Sequence, residues 1–252
     1  MRTRVHVTHG RDGRPVAVIL PGTGSTADFV TRAFGPALDA AGLALASADP
    51  DPGPRVVHAA FGALDEAAAR YDVRLVGGVS LGAQVAVRWA ARRTARRTPL
   101  DGLLLALPAW TGRPGAVAAA STRAAGRLRA DGLADTLADI RRRAVPWVAE
   151  EVIRAWPRYG GALADTLDAA ASSPGPDRSE LRGIGVPVGL VAFVDDPLHP
   201  ADVAERWHAT LARSSLRRLA LADCAPGPAA LGHATVAAWL DACRDHRPPA
   251  GW

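Results

Sequence analysis

The sequence predicts an α/β fold, in which helices cover both faces of a doubly wound, mostly parallel sheet. Short apolar runs of strand length alternate with segments whose apolar residues recur at helical intervals. The chain has 252 residues, of which 48% are hydrophobic and 22% charged, which is enough for one large domain with its own core. Strands that are apolar along their whole length are typical of parallel sheets, because helices bury both sides.

Each element follows in turn from these patterns. Six apolar runs are predicted to be strands: 16–20, 43–47, 74–79, 103–107, 188–194 and 216–221. The run Arg4 to Val7, followed by Gly10-Arg-Asp-Gly13, is a candidate for a further hairpin strand. Helices are predicted over 27–41, 55–71, 81–97, 201–212 and 228–244.

One long segment, residues 111–185, interrupts the alternation. It has helical periodicity over 116–130, 134–142 and 147–156, so we predict a helical insert in a core made of residues 1–110 and 186–252. An insert between two parallel strands emerges at the sheet edge where ligands bind. We therefore expect a lid; the alternative is a structural excursion that only shields the sheet edge.

The charge of the chain does not indicate a nucleic-acid partner. All 30 basic residues are arginine and the formal excess is only +5, a usage that a GC-rich coding sequence explains. One face of the helix predicted from residue 81 nevertheless collects Arg88, Arg92, Arg93, Arg96 and Arg97. Such a face is either solvated or a docking surface for an acidic partner.

No apolar run reaches the length of a membrane span, since the longest, Gly102 to Trp110, is broken by Pro108. The first residues contain no apolar segment of signal-peptide length, so a cytoplasmic location without membrane contact is expected. Cys224 and Cys243 form neither a disulfide framework nor a metal-ligand cluster. We expect free thiols, with a single bridge as the alternative.

The motif with a chemical meaning is Gly78-Val-Ser80-Leu-Gly82. It is a G-x-S-x-G pattern between a predicted strand and a predicted helix, where a sharp turn exposes the serine. The two glycines allow backbone segments to approach closely. Ser80 is therefore predicted to be a nucleophile, the alternative being an ordinary serine in a tight turn.

In this motif the chain resembles the α/β-hydrolase family, and the resemblance covers nearly the whole sequence. Leu20-Pro-Gly-Thr-Gly-Ser25 looks like the oxyanion loop of that family, with Pro21 in the place of the usual histidine. The resemblance implies that the backbone N–H groups of Thr23 and Leu81 stabilise the negatively charged oxygen of the reaction.

The resemblance also implies an acid after the strand 188–194. Family members often have an Asp four residues before a Pro at this place, and Asp196 with Pro200 fits that spacing. Such a carboxylate would orient the catalytic imidazole, and Asp195 is the reserve candidate. Either aspartate could instead cap the helix that follows.

The base implied by the resemblance is His233. It follows Gly232 and precedes a helix that ends in Trp239-Leu240, as in the terminal segment of the family, but it lies only six residues before Trp239. His199, in the loop of the acid, is the second candidate. The remaining histidines are predicted to be surface groups: His6, His9, His58, His208 and His246.

These residues together imply a serine hydrolase that cleaves an ester, thioester or lactone of a small, largely apolar acyl substrate. No metal and no cofactor are implied, because metal-ligand spacings and nucleotide loops are missing. One alternative is a cyclase, a lyase or a ligand-binding protein on the same fold. Another is a thioesterase for acyl groups on an acidic acyl carrier protein that docks on the arginine face.

Overall fold

A mostly parallel sheet forms the centre of the molecule. The computed structural model describes residues 5–10, 13–94 and 100–245, which contain β1 (His6–His9), β2 (Val16–Leu20), β3 (Ala44–Ser47), β4 (Val73–Val79), β5 (Gly102–Ala106), β6 (Val188–Phe193) and β7 (Ser214–Leu219). The strand order is β1-β3-β2-β4-β5-β6-β7, and only β1 runs antiparallel to its neighbour within these residues. The predicted α/β class is confirmed.

Helices lie on both faces of the sheet. In chain order they are α1 (Ala27–Ala40), α2 (Val56–Arg70), α3 (Leu81–Thr94), α4 (Ala116–Arg143), α5 (Pro146–Ala155), α6 (Leu163–Ala171), α7 (Arg178–Arg182), α8 (Ala201–Thr210) and α9 (Ala229–Arg244). The described ends of the predicted strands and core helices lie within two residues of the prediction. The predicted last residues of α3, 95–97, lie outside the described part.

Alternating strand residues supply two apolar layers, one on each face. In β5, Leu103 and Leu105 pack in one layer together with Trp207 of α8, and Leu104 packs in the other together with Phe34 of α1. Successive side chains of a strand point to opposite faces, so a strand covered on both sides needs an uninterrupted apolar run. This requirement is why the apolar runs of the sequence predicted the strands well.

The first strand differs from its prediction. The candidate hairpin strand is present as β1, but it pairs antiparallel with β3 and not with β2, which follows it in the chain. Both edges of β2 are occupied, by β3 and β4. The N-terminal segment therefore covers the open edge of β3, where its backbone groups find partners. Arg4 and residues 11–12 lie outside the described residues.

The segment between β5 and β6 is helical, as predicted. Helix α4 is broken at Gly132, which has a φ of 79°, so its two halves correspond to the separate periodic stretches of the sequence. Asp139 in the second half contacts Arg127 in the first half at 2.6 Å. The hydrogen bonds from Arg127 and then Arg143 hold the pKa of Asp139 at about 2, well below its ordinary value.

Two further expectations concern thiols and membranes. Neither cysteine is disulfide-bonded: Cys224 is buried and Cys243 half-buried. Among the helices of residues 5–10, 13–94 and 100–245, none combines the length and the apolar character that crossing a bilayer requires.

Candidate functional site

Ser80 lies at the sharp turn between β4 and α3. Its backbone has a φ of 54°, in the left-handed region that non-glycine residues rarely adopt. Two hydrogen bonds hold this conformation: the Ser80 N–H donates to Ala106 O at 2.9 Å, and Ser80 O accepts from the Gln84 N–H at 3.2 Å. A strained serine of this kind, held at the end of a central strand, is typical of functional sites.

The glycines of the motif are required by close backbone contacts. A Cβ at Gly78 would lie 2.4 Å from the carbonyl carbon of Gly82, and a Cβ at Gly82 would lie 2.4 Å from Leu20 O. A side chain at Gly78 would push α3 away from β4, and a side chain at Gly82 would push α3 away from β2. The G-x-S-x-G pattern therefore has a direct steric cause.

A histidine from the loop after β6 contacts this serine. His199 Nε2 lies 3.0 Å from Ser80 Oγ, and His199 Nδ1 lies 2.9 Å from Asp196 Oδ2. The side chains of His199 and Asp196 are only 17% and 10% exposed. Serine, imidazole and carboxylate thus form one continuous chain of hydrogen bonds, the arrangement of a nucleophile with its base and its orienting acid.

The local sequence explains how the acid and the base meet. Asp196-Pro197-Leu198-His199 has proline at the second position of four, which favours a turn that brings the first and fourth residues together. The carboxylate closes this turn itself, since Asp196 Oδ1 accepts from the Leu198 N–H at 2.7 Å. Its other oxygen is left to face the imidazole.

Asp196 is charged under ordinary conditions. Burial acts to raise the pKa of its carboxyl group, but the hydrogen bond and charge of His199, together with the N–H groups of Leu198 and His199, outweigh burial. The pKa of Asp196 therefore lies below its ordinary value, and the ionised carboxylate is available to hold the imidazole.

His233 does not take the position expected of it. It lies in the second turn of α9, is exposed, and places Nδ1 2.8 Å from Ala229 O in its own helix. Because α9 begins at residue 229, His233 is part of a rigid helix that packs on α1 and is not on a free loop. His199, the second candidate, makes the contact with Ser80, so the position expected for His233 beside the serine is wrong.

A signal for the correct histidine was present in the sequence. The Asp-Pro-x-His turn brings a carboxylate and an imidazole together locally, whereas a histidine six residues before Trp239 leaves too little chain for both a loop and a helix. Among the other histidines, His6, His58 and His208 are exposed as predicted, and His9 is half-buried against Gly35. His246 lies outside the described residues.

The loop predicted to bind the oxyanion lies against the serine. A Cβ at Gly22 would lie 3.4 Å from Ser80 Cβ, so the two backbones are in contact. The Ser25 N–H donates to Gly22 O at 3.1 Å, and Gly24 has a φ of 74°, so Thr23 lies in a tight turn beside the site. Leu81, the first residue of α3, lies where helical N–H groups have no partner within the helix. That Thr23 and Leu81 donate to an oxyanion stays a prediction.

An apolar cleft adjoins the same loop. Its cavity volume is about 30 Å³, and it is partly open to solvent. Its wall includes Leu81 and, from α2 and the ends of β2 and β3, Leu20, Ala48, Val56, Ala60 and Ala63. The Asp49 carboxylate, which also lines the cleft, accepts hydrogen bonds from the Ala27 N–H and from Arg158. The cleft thus offers mainly aliphatic surface directly beside Ser80.

The arginine face on α3 is partly engaged within the protein. Arg88 donates to Pro174 O at 3.0 Å and lies 3.7 Å from Glu180. The guanidinium carbons of Arg92 and Arg93 lie 4.6 Å from the ring centroids of Phe61 and Trp89, respectively. Arg96 and Arg97 lie outside the described residues.

Comparisons with known proteins place this architecture among solved structures. No protein-family model matches the sequence, and neither does any curated protein. A hydrolase from Pseudomonas aeruginosa is similar in structure, with 23% identity, a TM-score of 0.64 and coverage of 86% of this chain and 84% of that one. An enol-lactonase from Burkholderia xenovorans has 18% identity, a TM-score of 0.63 and 87% coverage of both chains.

A bromoperoxidase from Bacillus anthracis is also similar, with 15% identity, a TM-score of 0.64 and coverage of 95% and 93%. Identity is below a quarter in all three cases. What this chain shares with them is therefore the arrangement of strands and helices, and the reaction has to be argued from its own site.

Proposed function

We propose that this chain is a serine hydrolase. It has the α/β-hydrolase fold, and Ser80, His199 and Asp196 are in contact at the carboxyl ends of the parallel strands. Its substrate would be an ester, a thioester or a lactone with a small, largely apolar acyl group. The observation that carries the proposal is the 3.0 Å contact between Ser80 Oγ and His199 Nε2, with Asp196 on the other ring nitrogen.

The proposed reaction has two steps. Ser80 Oγ attacks the acyl carbonyl carbon while His199 Nε2 accepts the hydroxyl proton; the leaving group then departs with that proton, and Ser80 carries the acyl group. In the second step His199 deprotonates a water molecule, which attacks the acyl carbon and releases the acid and Ser80. Asp196 accepts the Nδ1–H of His199 throughout and stabilises the imidazolium. Preorganised N–H groups of Thr23 and Leu81 would be worth several kcal/mol of barrier.

The sheet order supports an orientation of the substrate. His199 reaches Ser80 from the side of β6, and a base that returns its proton to the leaving group requires the leaving group on that side. The apolar cleft lies on the opposite side of Ser80, at the ends of β2 and β3. We therefore assign the cleft to the acyl group, which agrees with an apolar acyl substrate.

The decisive experiment compares two matched histidine variants. Ser80→Ala and His199→Ala are each expected to lower kcat for short aryl esters by about 10⁴-fold or more, because members of one catalytic unit fail together. His233→Ala is the control, and we expect activity within a factor of about two. Labelling with a fluorophosphonate, located by mass spectrometry, should place the adduct on Ser80.

The opposite pattern would reject the proposal. If Ser80→Ala retains activity within about tenfold, the residual oxyanion donors cannot account for the rate, and Ser80 is not the nucleophile. A wild-type protein that binds acyl ligands without turnover would favour the ligand-binding alternative.

A further inference from the structure

Both the acid and the base of the proposed triad come from one short loop, residues 194–200, between β6 and α8. The distance from His199 to Ser80 therefore depends on how this loop is held against its neighbours. The first contact that fixes the loop is a backbone hydrogen bond, in which the Val194 N–H donates to Leu219 O at 2.8 Å. It continues the pairing of β6 with β7 and ends before Asp195.

The next hold comes from a side chain. Asp195 Oδ1 accepts a hydrogen bond from the Leu221 N–H at 2.8 Å, across 26 residues of sequence. Leu221 opens the short 3-10 helix that follows β7, and it is buried. The Asp195 carboxylate is thus bound to the backbone of the neighbouring segment and not to an imidazole. It does not take the position of the reserve acid.

Leu221 also forms a hydrogen bond with the helical insert. Leu221 O accepts a hydrogen bond from Trp147 Nε1 at 2.9 Å, and Trp147 belongs to α5. The Trp147 ring also packs against Phe193, the last residue of β6, with ring centroids 6.1 Å apart. Trp147 therefore contacts both Phe193, which precedes the 194–200 loop, and Leu221, to which Asp195 is hydrogen-bonded.

We propose that Asp195 and Trp147 are positioning residues, which set the distance between His199 and Ser80 through the backbone of Leu221. The inference rests on the proposed function. Because Asp196 and His199 are three residues apart in one turn, loss of this hold would leave their contact intact and would shift His199 relative to Ser80. A displacement of about 1 Å at a reacting group can lower the rate by about 10²-fold.

Three single variants test the two roles, and circular dichroism checks that each variant is folded. Asp195→Ala removes the acceptor and should lower kcat for a short aryl ester by about 10- to 100-fold with little change in KM, because substrate binding is untouched. Asp195→Asn keeps an acceptor oxygen and should retain kcat within about threefold of wild type. Trp147→Phe keeps an aromatic side chain but removes the N–H donor, and should also lower kcat.

The matched control is Asp223→Ala. Asp223 is an aspartate of the same neighbouring segment, and its carboxylate accepts from the Ala220 N–H at 2.8 Å. We expect wild-type kcat for this variant. A double variant, Asp195→Ala with Trp147→Phe, should lose less than the product of the single losses, because both act on Leu221.

The proposal is overturned if Asp195→Ala keeps wild-type kcat, if Asp195→Asn is as impaired as Asp195→Ala, or if Asp223→Ala is equally impaired. Failure of the proposed function gives a different signature, namely that Ser80→Ala and His199→Ala keep their activity. The two results are read from different variants and are therefore distinguishable.

Discussion

The ionisation of Asp196 controls the candidate site at the scale of single residues. Its pKa lies below the ordinary value because His199 and the Leu198 N–H outweigh burial. A carboxyl group whose pKa is lower in the folded than in the unfolded protein stabilises the fold above the unfolded value of about 3.9. That stabilisation is lost as the pH falls through the lower, folded value.

We therefore expect the difference in Tm between wild type and Asp196→Asn to be present at pH 6 and to shrink as the pH falls below about 4. The same variant should lower kcat by about 10⁴-fold at neutral pH, because an amide does not hold the imidazole in the required tautomer. Thermal unfolding monitored by circular dichroism and steady-state kinetics measure the two effects. A difference in Tm that stays constant down to pH 3 would contradict the assigned contact with His199.

The sequence predicted the placement of the serine and of the acid, because each depends on local patterns. Ser80 is framed by glycines that only a tight strand-to-helix turn requires, and Asp196 follows a buried strand. The base was placed wrongly since the family resemblance was carried to His233 by chain order. What decides between two histidines is a distance across the fold, and the start of α9 at Ala229 determines that distance.

At the scale of elements, α2 forms part of the wall of the apolar cleft. Ala60 and Val56 line the cleft from this helix, whereas the neighbouring Ala59 does not. Each methylene gained or lost in an apolar pocket changes selectivity by about 10- to 200-fold. The small side chain at position 60 therefore limits the acyl chain less than a larger one would.

Filling this wall should shorten the preferred acyl chain. Ala60→Leu is expected to lower kcat/KM for a butanoyl aryl ester by about tenfold or more relative to the acetyl ester. Ala59→Leu, the same change one residue away, should leave the ratio at its wild-type value. The measurement is kcat/KM over a series of aryl esters from acetyl to butanoyl. An unchanged series in Ala60→Leu would place the acyl group elsewhere, for instance beneath the helical insert.

At the scale of the whole molecule, the arginine face of α3 lies on the helix that follows Ser80. Arg88 is engaged with Pro174 and Glu180 and also lies over the Phe61 ring, on which Arg92 stacks as well, while Arg93 stacks on Trp89. Stacking holds a guanidinium group in place while its edge stays free for a carboxylate or a phosphate.

Docking of an acidic acyl carrier protein is the alternative to a solvated face, and it can be tested. If it docks there, kcat/KM for a carrier-bound thioester should fall steeply from low to high ionic strength, because long-range attraction is screened. The variant Arg92→Ala/Arg93→Ala should lose that dependence. Turnover of a free small ester is the control and should respond to neither change. Equal salt dependence for both substrates would identify these arginines as a solvated face.

The central architecture was predictable because burial on both faces leaves a strong signal in the strands β2 to β6. The insert was recognised by the same route, and even the break of α4 at Gly132 falls between its two periodic stretches. How the insert is attached was not predictable. Contacts such as Arg32 with Glu151, at 2.7 Å, and Tyr159 Oη with Ser25 O, at 2.6 Å, join residues more than 100 positions apart.

The short sequence distance between Asp196 and His199 has a consequence for motion. If the 194–200 loop swings away from Ser80, the carboxylate and the imidazole travel together, and their hydrogen bond survives the excursion. An inactive state of this protein would then have lost only the contact between His199 and Ser80. The hydrogen bond between His199 and Asp196 would remain and would keep the imidazole in the correct tautomer. In proton NMR, the low-field signal of the His199 Nδ1–H would persist in molecules that have lost all catalytic power, and return to activity would need only a rigid-body movement.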